Sequence, residues 1–205
     1  MPTILYLASQ SFRRRQLLSE LGIQFELLEN SIDESRKENE PPKVMAGRLA
    51  TEKATSAWPK ALQVHQGDSR EAILLAADTL VDLDGEPIGK PDGHEEAREI
   101  LQRLCKTPHL IHTAIAVLNV SQGLSSLTLE TSTTRVFMKE PAPGWVDYCA
   151  SVPEALNCAG GYAIQGAAGP LVERIEGCFY TVVGLPLAKS CTLLQSFGVP
   201  ILKSI

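Results

Sequence analysis

The sequence of 205 residues is 44% hydrophobic and 21% charged, a globular composition that excludes fibrous and disordered classes. Its net charge of −5 argues against broad binding of nucleic-acid polymers or anionic membranes, although one nucleotide needs only a local basic pocket. Five cysteines, scattered and never in a CxxC pair, suggest neither a disulfide framework nor a zinc site. With no basic-then-apolar leader at the N-terminus and no apolar run long enough to span a bilayer, a cytoplasmic protein is expected.

In chain order, "TILYLA" reads as a buried strand. Ser9 and Ser11 follow as candidate caps of a helix that runs to about Leu21 and is ended by Gly22. "FELLEN" reads as a second strand, and Pro42 to about Val64 as a long helix broken at Trp58-Pro59. "ILLAADTLVDLDGEPIGKP" carries a hairpin signal at its central Asp-Gly, and "HEEAREILQRL" is an amphipathic helix. "HLIHTAIAVLNV" and "SSLTLETSTTRVFM" suggest a long antiparallel pair. A short helix at "GWVDYCAS" and the glycine-dense tract "CAGGYAIQGAAGPLVERIEG" lead to a last helix, about Leu187 to Phe197. Early alternation and later antiparallel pairing predict an α/β fold, a long mixed twisted sheet flanked by helices.

Three consecutive arginines stand where the first strand turns into the first helix. At roughly 100° per residue, Arg14 shares the stripe of Leu17, Leu18 and Leu21, Arg13 lies at its edge, and Arg15 lies nearly opposite. Arg15 reads as solvated. Arg13 and Arg14 are either solvated too or aimed at an anion, which a helix N-terminus and arginine geometry both favour. Asp78 closes the apolar run Ile73 to Ala77, so its carboxylate stands beside the core and needs a partner, a metal or a chemical task, unless it merely ends the strand. Lys90 before Pro91, the acidic "IDESR" with Asp33 and Glu34, and Lys53 in "LATEKA" each read, taken singly, as solvated polar positions.

In order along the chain, "LASQSFRRRQLL", "IDES", "RLATEKA", "AADTLVDLDGEPIGKP", "HTAIAV", "AGGYAIQGAAGPLVERIEG" and "VVGLPL" resemble the Maf nucleoside triphosphate pyrophosphatases over nearly the whole sequence. The resemblance implies a single domain over residues 1–205, an inosine triphosphatase-like fold, and an active-site cleft between two lobes. It also implies phosphate binding at Ser9, Arg13 and Arg14, catalytic Asp78, Lys53 and Lys90, and a Mg²⁺ or Mn²⁺ ion held by Glu34 and Asp78. Arg13, Thr79 and Gln165 match the dTTP/UTP branch of the family, whereas the branch preferring a methylated guanine nucleotide has an aromatic residue, Gln and Glu there. A Gln amide, donor and acceptor together, suits the mixed edge of uracil or thymine. Phe12, Cys105, Asn157, Cys158 and Cys178 depart from the family pattern without removing an expected ligand.

The resemblance thus implies hydrolysis of a nucleoside triphosphate to monophosphate and pyrophosphate. Asp78 would direct water, the cationic side chains would neutralise phosphate charge, and Gly160, Gly161 and Gly166 would let the backbone approach base and sugar. Gly169 reads as a turn. A homodimer is a further expectation. The alternatives are a methyl-GTP-type pyrophosphatase of the same family and a nucleotide-binding regulator of division without turnover, which has less need of a carboxylate set among phosphates. A redox or metal-storage role fails on cysteine spacing.

Overall fold

The computed structural model describes residues 3–201. The strands are β1 (Thr3–Ala8), β2 (Glu26–Leu27), β3 (Glu71–Leu83), β4 (Glu86–Ile88), β5 (His109–Asn119), β6 (Thr128–Met138) and β7 (Val172–Glu176). Six helices accompany them among the described residues: α1 (Phe12–Glu20), α2 (Pro42–His65), α3 (His94–Leu104), α4 (Trp145–Ser151), α5 (Phe179–Val183) and α6 (Leu187–Ser196). All the strands join one mixed sheet in the order β2-β1-β3-β5-β6-β7, with β4 folded back on β3. Pairing is parallel among β2, β1 and β3 and antiparallel elsewhere.

The sheet is covered on both faces, which is why its central strands are apolar almost throughout rather than alternating. Ile4, Tyr6, Leu74, Ala76, Ala114 and Ala116 pack against Met45, Leu49, Ala50, Ala54, Ala57 and Ala61 of α2. Leu5, Leu7, Ile73, Leu75, Ile115 and Val117 face Leu17 and Leu18 of α1 and Leu194 of α6. A third cluster gathers Val81, Leu83 and Ile111 against α3 and α4. Alanine opposite alanine keeps α2 close to the sheet, and this brings its polar side chains within reach of β3.

Helix α2 continues without a break through Pro59. Proline removes one helical hydrogen bond at a cost of roughly 3 kcal/mol. Tertiary contacts outweigh that cost: Ala54, Ala57 and Ala61 are fully buried, and the Trp58 indole donates to Val120 O at 2.9 Å. The strand expected over "FELLEN" shrinks to Glu26–Leu27, because Asn30 leaves the ladder and donates its amide to Ala8 O at 2.7 Å. The hairpin forms as expected, with Asp84 and Gly85 both at positive φ, the pair a two-residue turn of this hand requires. Strand β7 and helix α5 lie in stretches read only as part of the glycine tract and its exit.

Register creates the opening in this structure. β1 pairs with β3 only as far as Ala8 opposite Ala76, and β4 begins its pairing with Val81 opposite Ile88. Between them Ala77, Asp78, Thr79 and Leu80 have no strand on that side, while β5 continues unbroken along the other. The turn from β1 into α1 enters this gap from one end and the exit from β4 from the other.

Beside the third cluster, His109 is 1% exposed and shares a 2.7 Å hydrogen bond between Nε2 and the Tyr162 hydroxyl. Burial lowers its pKa from 6.5 to about 4. The unfolded chain therefore binds more protons between those values, so this group's contribution to stability is complete above pH 6.5 and is lost as pH falls towards 4. The loss should reach about 3 kcal/mol. Urea unfolding of the wild type and of His109→Gln between pH 7 and 4 checks this. The wild type is expected to lose stability more steeply; parallel curves would show that His109 is not the group responsible.

Candidate active site

A cavity of about 800 Å³ occupies the gap in the sheet. Its lining includes every residue singled out as a site candidate: Ser9, Arg13, Arg14, Glu34, Lys53, Asp78, Thr79, Lys90 and Gln165. They come from the β1–α1 turn, the first turn of α1, the loop after β2, α2, β3, the exit of β4 and the tract before β7, so the fold gathers positions separated by more than half the chain.

Asp78 stands at the centre and is 5% exposed. Its Oδ1 receives the Lys53 ammonium at 2.6 Å, while its Oδ2 is buried without a partner. Burial raises the carboxyl pKa, and the charges of Lys53 and Arg14 oppose that rise. Lys53 also meets Glu34 Oε1 at 2.7 Å. Its side chain is only 12% exposed, far from the solvated helix-surface position that the isolated motif suggested.

Arg14 is 8% exposed and tied to its surroundings by three bonds. Nε donates to Gly184 O at 2.8 Å, Nη1 to Ser9 Oγ at 3.2 Å and Nη2 to Thr79 Oγ1 at 3.0 Å. A guanidinium has five N–H groups, so two remain for a ligand. Thr113 Oγ1 donates its single proton to Thr181 O at 2.7 Å. The 2.9 Å bond between the Thr79 and Thr113 hydroxyls must therefore have Thr79 as donor. Arg14, Thr79, Thr113 and Thr181 thus form one directed chain from α1 across the sheet to α5, and Thr79 retains only acceptor capacity towards the cavity. Gly184 sits at φ 114, and a Cβ there would come within 3.3 Å of Thr79 Oγ1.

Ser11 is the N-cap of α1, its hydroxyl accepting the Arg14 N–H at 3.5 Å. Ser9 accepts from the Ser11 N–H and from Arg14, which leaves its own proton free to be donated. Arg13 and Lys90 line the cavity without a salt bridge among the described residues. Arg15 instead lies 5.9 Å from the Phe12 ring centre. Gln165 is exposed, and its amide has no hydrogen-bond partner among the described residues. These side chains combine unspent donors, cationic charge and one unpartnered buried carboxylate oxygen, a set that can hold an anion and direct water at it.

The glycine tract behaves differently from expectation. Neither Gly160 nor Gly161 lines the cavity: a Cβ on Gly160 would strike Val81 at 2.7 Å, and Gly161, beside Ala97, sits at φ 69, so packing at the first and left-handed backbone at both call for glycine. Gly166 makes room for the Glu154 carboxylate, which an added Cβ would strike and which accepts the Ala167 N–H at 2.9 Å. Glu154, Thr113 and the Gly184 carbonyl were not identified from the sequence. Their roles depend on strand pairing and on turns far along the chain, which no local spacing encodes. Cys158, where the family pattern was expected to differ, is a buried wall of the cavity. Burial raises its thiol pKa and neighbouring Arg13 opposes the shift.

Known proteins resemble the chain over nearly its full length. A protein of Caldanaerobacter subterraneus subsp. tengcongensis named dTTP/UTP pyrophosphatase is 38% identical over 196 residues, covering 95% of this chain and 90% of that one. A Chromobacterium violaceum protein of the same name is 39% identical, covering 96% of each. Among solved structures, the Staphylococcus aureus Ham1 protein is a looser likeness, with a TM-score of 0.47 and 14% identity over 94% of this chain and 96% of that one. The family described as Maf-like protein matches residues 4–197. The chain belongs to the Maf family.

Proposed function

We propose that this protein is a nucleoside triphosphate pyrophosphatase that hydrolyses dTTP and UTP to the monophosphate and pyrophosphate. The observation that carries the reading is Asp78: one carboxylate oxygen is held by Lys53, the other is buried without a partner, and the residue lines a cavity edged with cations. The names of the relatives support it.

In this reading the nucleotide lies in the gap with its phosphates near the start of α1. The Ser9 hydroxyl, Arg13, Lys90 and the two unspent N–H groups of Arg14 neutralise charge on the non-bridging oxygens. Asp78 orients water towards the α-phosphorus and accepts its proton, a task helped by burial, which raises its carboxyl pKa. Pyrophosphate leaves on the side of the cationic groups. Gln165 reads the edge of the base with its free amide, and Thr79 serves by fixing Arg14.

Asp78 and Glu34 are oxygen donors that converge on a single ammonium. Among the described residues no cluster of three or more carboxylate, imidazole or thiol groups stands ready for a metal. That donor set fits Mg²⁺ or Mn²⁺, hard ions that take one or two carboxylates and complete their shell with phosphate oxygens and water. When bound, such an ion would add positive charge to the phosphates and strengthen them as electrophiles. We extend the reading to one domain whose halves meet at the gap. A cytoplasmic setting is supported by five free thiols, and a homodimer by the exposed aromatic rings of Trp145, Tyr148, Phe179 and Tyr180. No described helix is long and apolar enough to cross a membrane.

Chromatography of reactions with dTTP and UTP plus Mg²⁺ or Mn²⁺ should show monophosphate and pyrophosphate in equal amounts, and a chelator should stop the reaction. Orthophosphate and a nucleoside diphosphate would refute the bond assigned. Asp78→Asn, nearly isosteric, should melt close to the wild type yet lose at least about 100-fold in turnover. Full turnover in that variant would remove Asp78 from the chemistry.

Selectivity tests Gln165. In Gln165→Glu the amide donor is lost and an acceptor faces a carbonyl of uracil or thymine. An unmade buried hydrogen bond is worth about 1–3 kcal/mol, so the efficiency on dTTP and UTP should fall roughly ten- to a hundredfold. GTP, with an N–H edge, should suffer less. An unchanged UTP-to-GTP ratio would place Gln165 outside the base site.

A further inference from the structure

Residues 28–41, between β2 and α2, have no helix or strand of their own, yet they carry Glu34. The segment is fastened to α2 along its length. Ser56 Oγ donates to Ser31 O at 3.1 Å, and Ile32 packs into the core cluster beneath α2. At the other end Arg48 grips Glu40 with two bonds, Nε to Oε1 and Nη2 to Oε2, each 2.7 Å. Its Nη2 also donates to Ser35 O at 3.0 Å, and its Nη1 to Glu52 at 2.9 Å. Glu40 in turn accepts the Lys37 N–H at 3.2 Å, and its carbonyl accepts Arg36 Nε at 2.9 Å.

Exposure separates this pair from the ordinary surface ion pair. The Arg48 and Glu40 side chains are 13% and 7% exposed, so solvent screens their attraction little. Glu34, by contrast, is 57% exposed. Its contact with Lys53 is too open to water to hold a fourteen-residue segment in place by itself, since exposed ion pairs contribute little. Whatever keeps Glu34 beside Lys53 must act from the flanks; on its C-terminal side Arg36 reaches Gly85 O at 3.3 Å and Lys37 reaches Glu52 at 3.5 Å, both exposed, and the shielded tie is Arg48.

We propose that Arg48 is a positioning residue for the reaction: with Glu40 as its counterion, it clamps the segment so that Glu34 stays over Lys53 and Asp78. This inference rests on the hydrolase reading above. Arginine suits the task because its planar fork meets a carboxylate bidentately while a further N–H reaches the Ser35 carbonyl; an ammonium cannot do both in a fixed geometry.

The test removes the pair as a unit. Arg48→Met alone would leave Glu40 buried and unpaired, and its effects would mix folding with function. The double variant Glu40→Met with Arg48→Met abolishes both charges, an exchange that often leaves stability unchanged or higher. Three quantities are read on the full chain: melting temperature, steady-state turnover of UTP, and the rate of tryptic cleavage after Arg36 or Lys37 within the segment. The double variant should melt close to the wild type, be cut faster in the segment, and lose at least about tenfold in kcat with KM little changed. Wild-type turnover together with wild-type resistance to trypsin would overturn the proposal. If the double variant does not fold, Arg48→Lys decides by the same readings, since it keeps a charge opposite Glu40 but not the fork. If the wild type itself hydrolyses nothing, the hydrolase reading fails, and the cleavage rate alone judges the clamp.

Discussion

A carboxylate in the middle of a buried strand has to be matched by a cation: β3 runs on through Asp78 to Leu83, past the strand end expected there, and Lys53 matches Asp78 at 2.6 Å. Much of the architecture follows from bringing those two groups together. Lys53 reaches β3 because alanines on α2 face alanines on the sheet, so that the helix lies close to it. Asp78 turns to a cavity because β1 has ended and β4 has not begun along that edge of β3. The match is also incomplete: Lys53 is shared with Glu34, and Asp78 Oδ2 is left without a partner. An unsatisfied buried oxygen costs stability, and it is retained where chemistry needs an acceptor.

Around that pair the remaining charges are arranged by how much freedom each keeps. Arg14 is fixed by bonds to Ser9, Thr79 and Gly184, joining the first turn of α1 to β3 and to the turn after α5. Arg13 and Lys90 line the same cavity without such ties. One arginine therefore shapes the wall while its neighbour faces the opening, a division of labour between adjacent residues that comes from the 100° step of the helix. The segment carrying Glu34 is held in a similar way from outside the cavity, by a shielded ion pair on α2.

The parts of this structure legible in the sequence are those encoded by local pattern. "TILYLA" forms β1 over the expected residues, "HEEAREILQRL" forms α3, and the Asp-Gly turn closes the hairpin. The site candidates also converge on one cavity, and the signal that groups them in the sequence is the ordered set of family motifs, not the individual surroundings of each residue. Taken alone, Lys53 looked like a surface lysine, and only packing shows it nearly buried. The break expected at Pro59 failed because a local penalty was outweighed by contacts from distant strands. Thr113, Glu154 and the Arg48–Glu40 pair could not be found by spacing, since what defines them is register across the sheet or a reach from helix to loop.

The central claim is that water held by Asp78 attacks the α-phosphorus. Hydrolysis of UTP in water enriched in oxygen-18, followed by mass spectrometry of both products, tests it most directly. Attack at the α-phosphorus places the heavy oxygen in the nucleoside monophosphate and leaves the pyrophosphate unlabelled. Label in the pyrophosphate instead would mean attack at the β-phosphorus, and the assignment of Asp78 to the α-phosphate would be wrong.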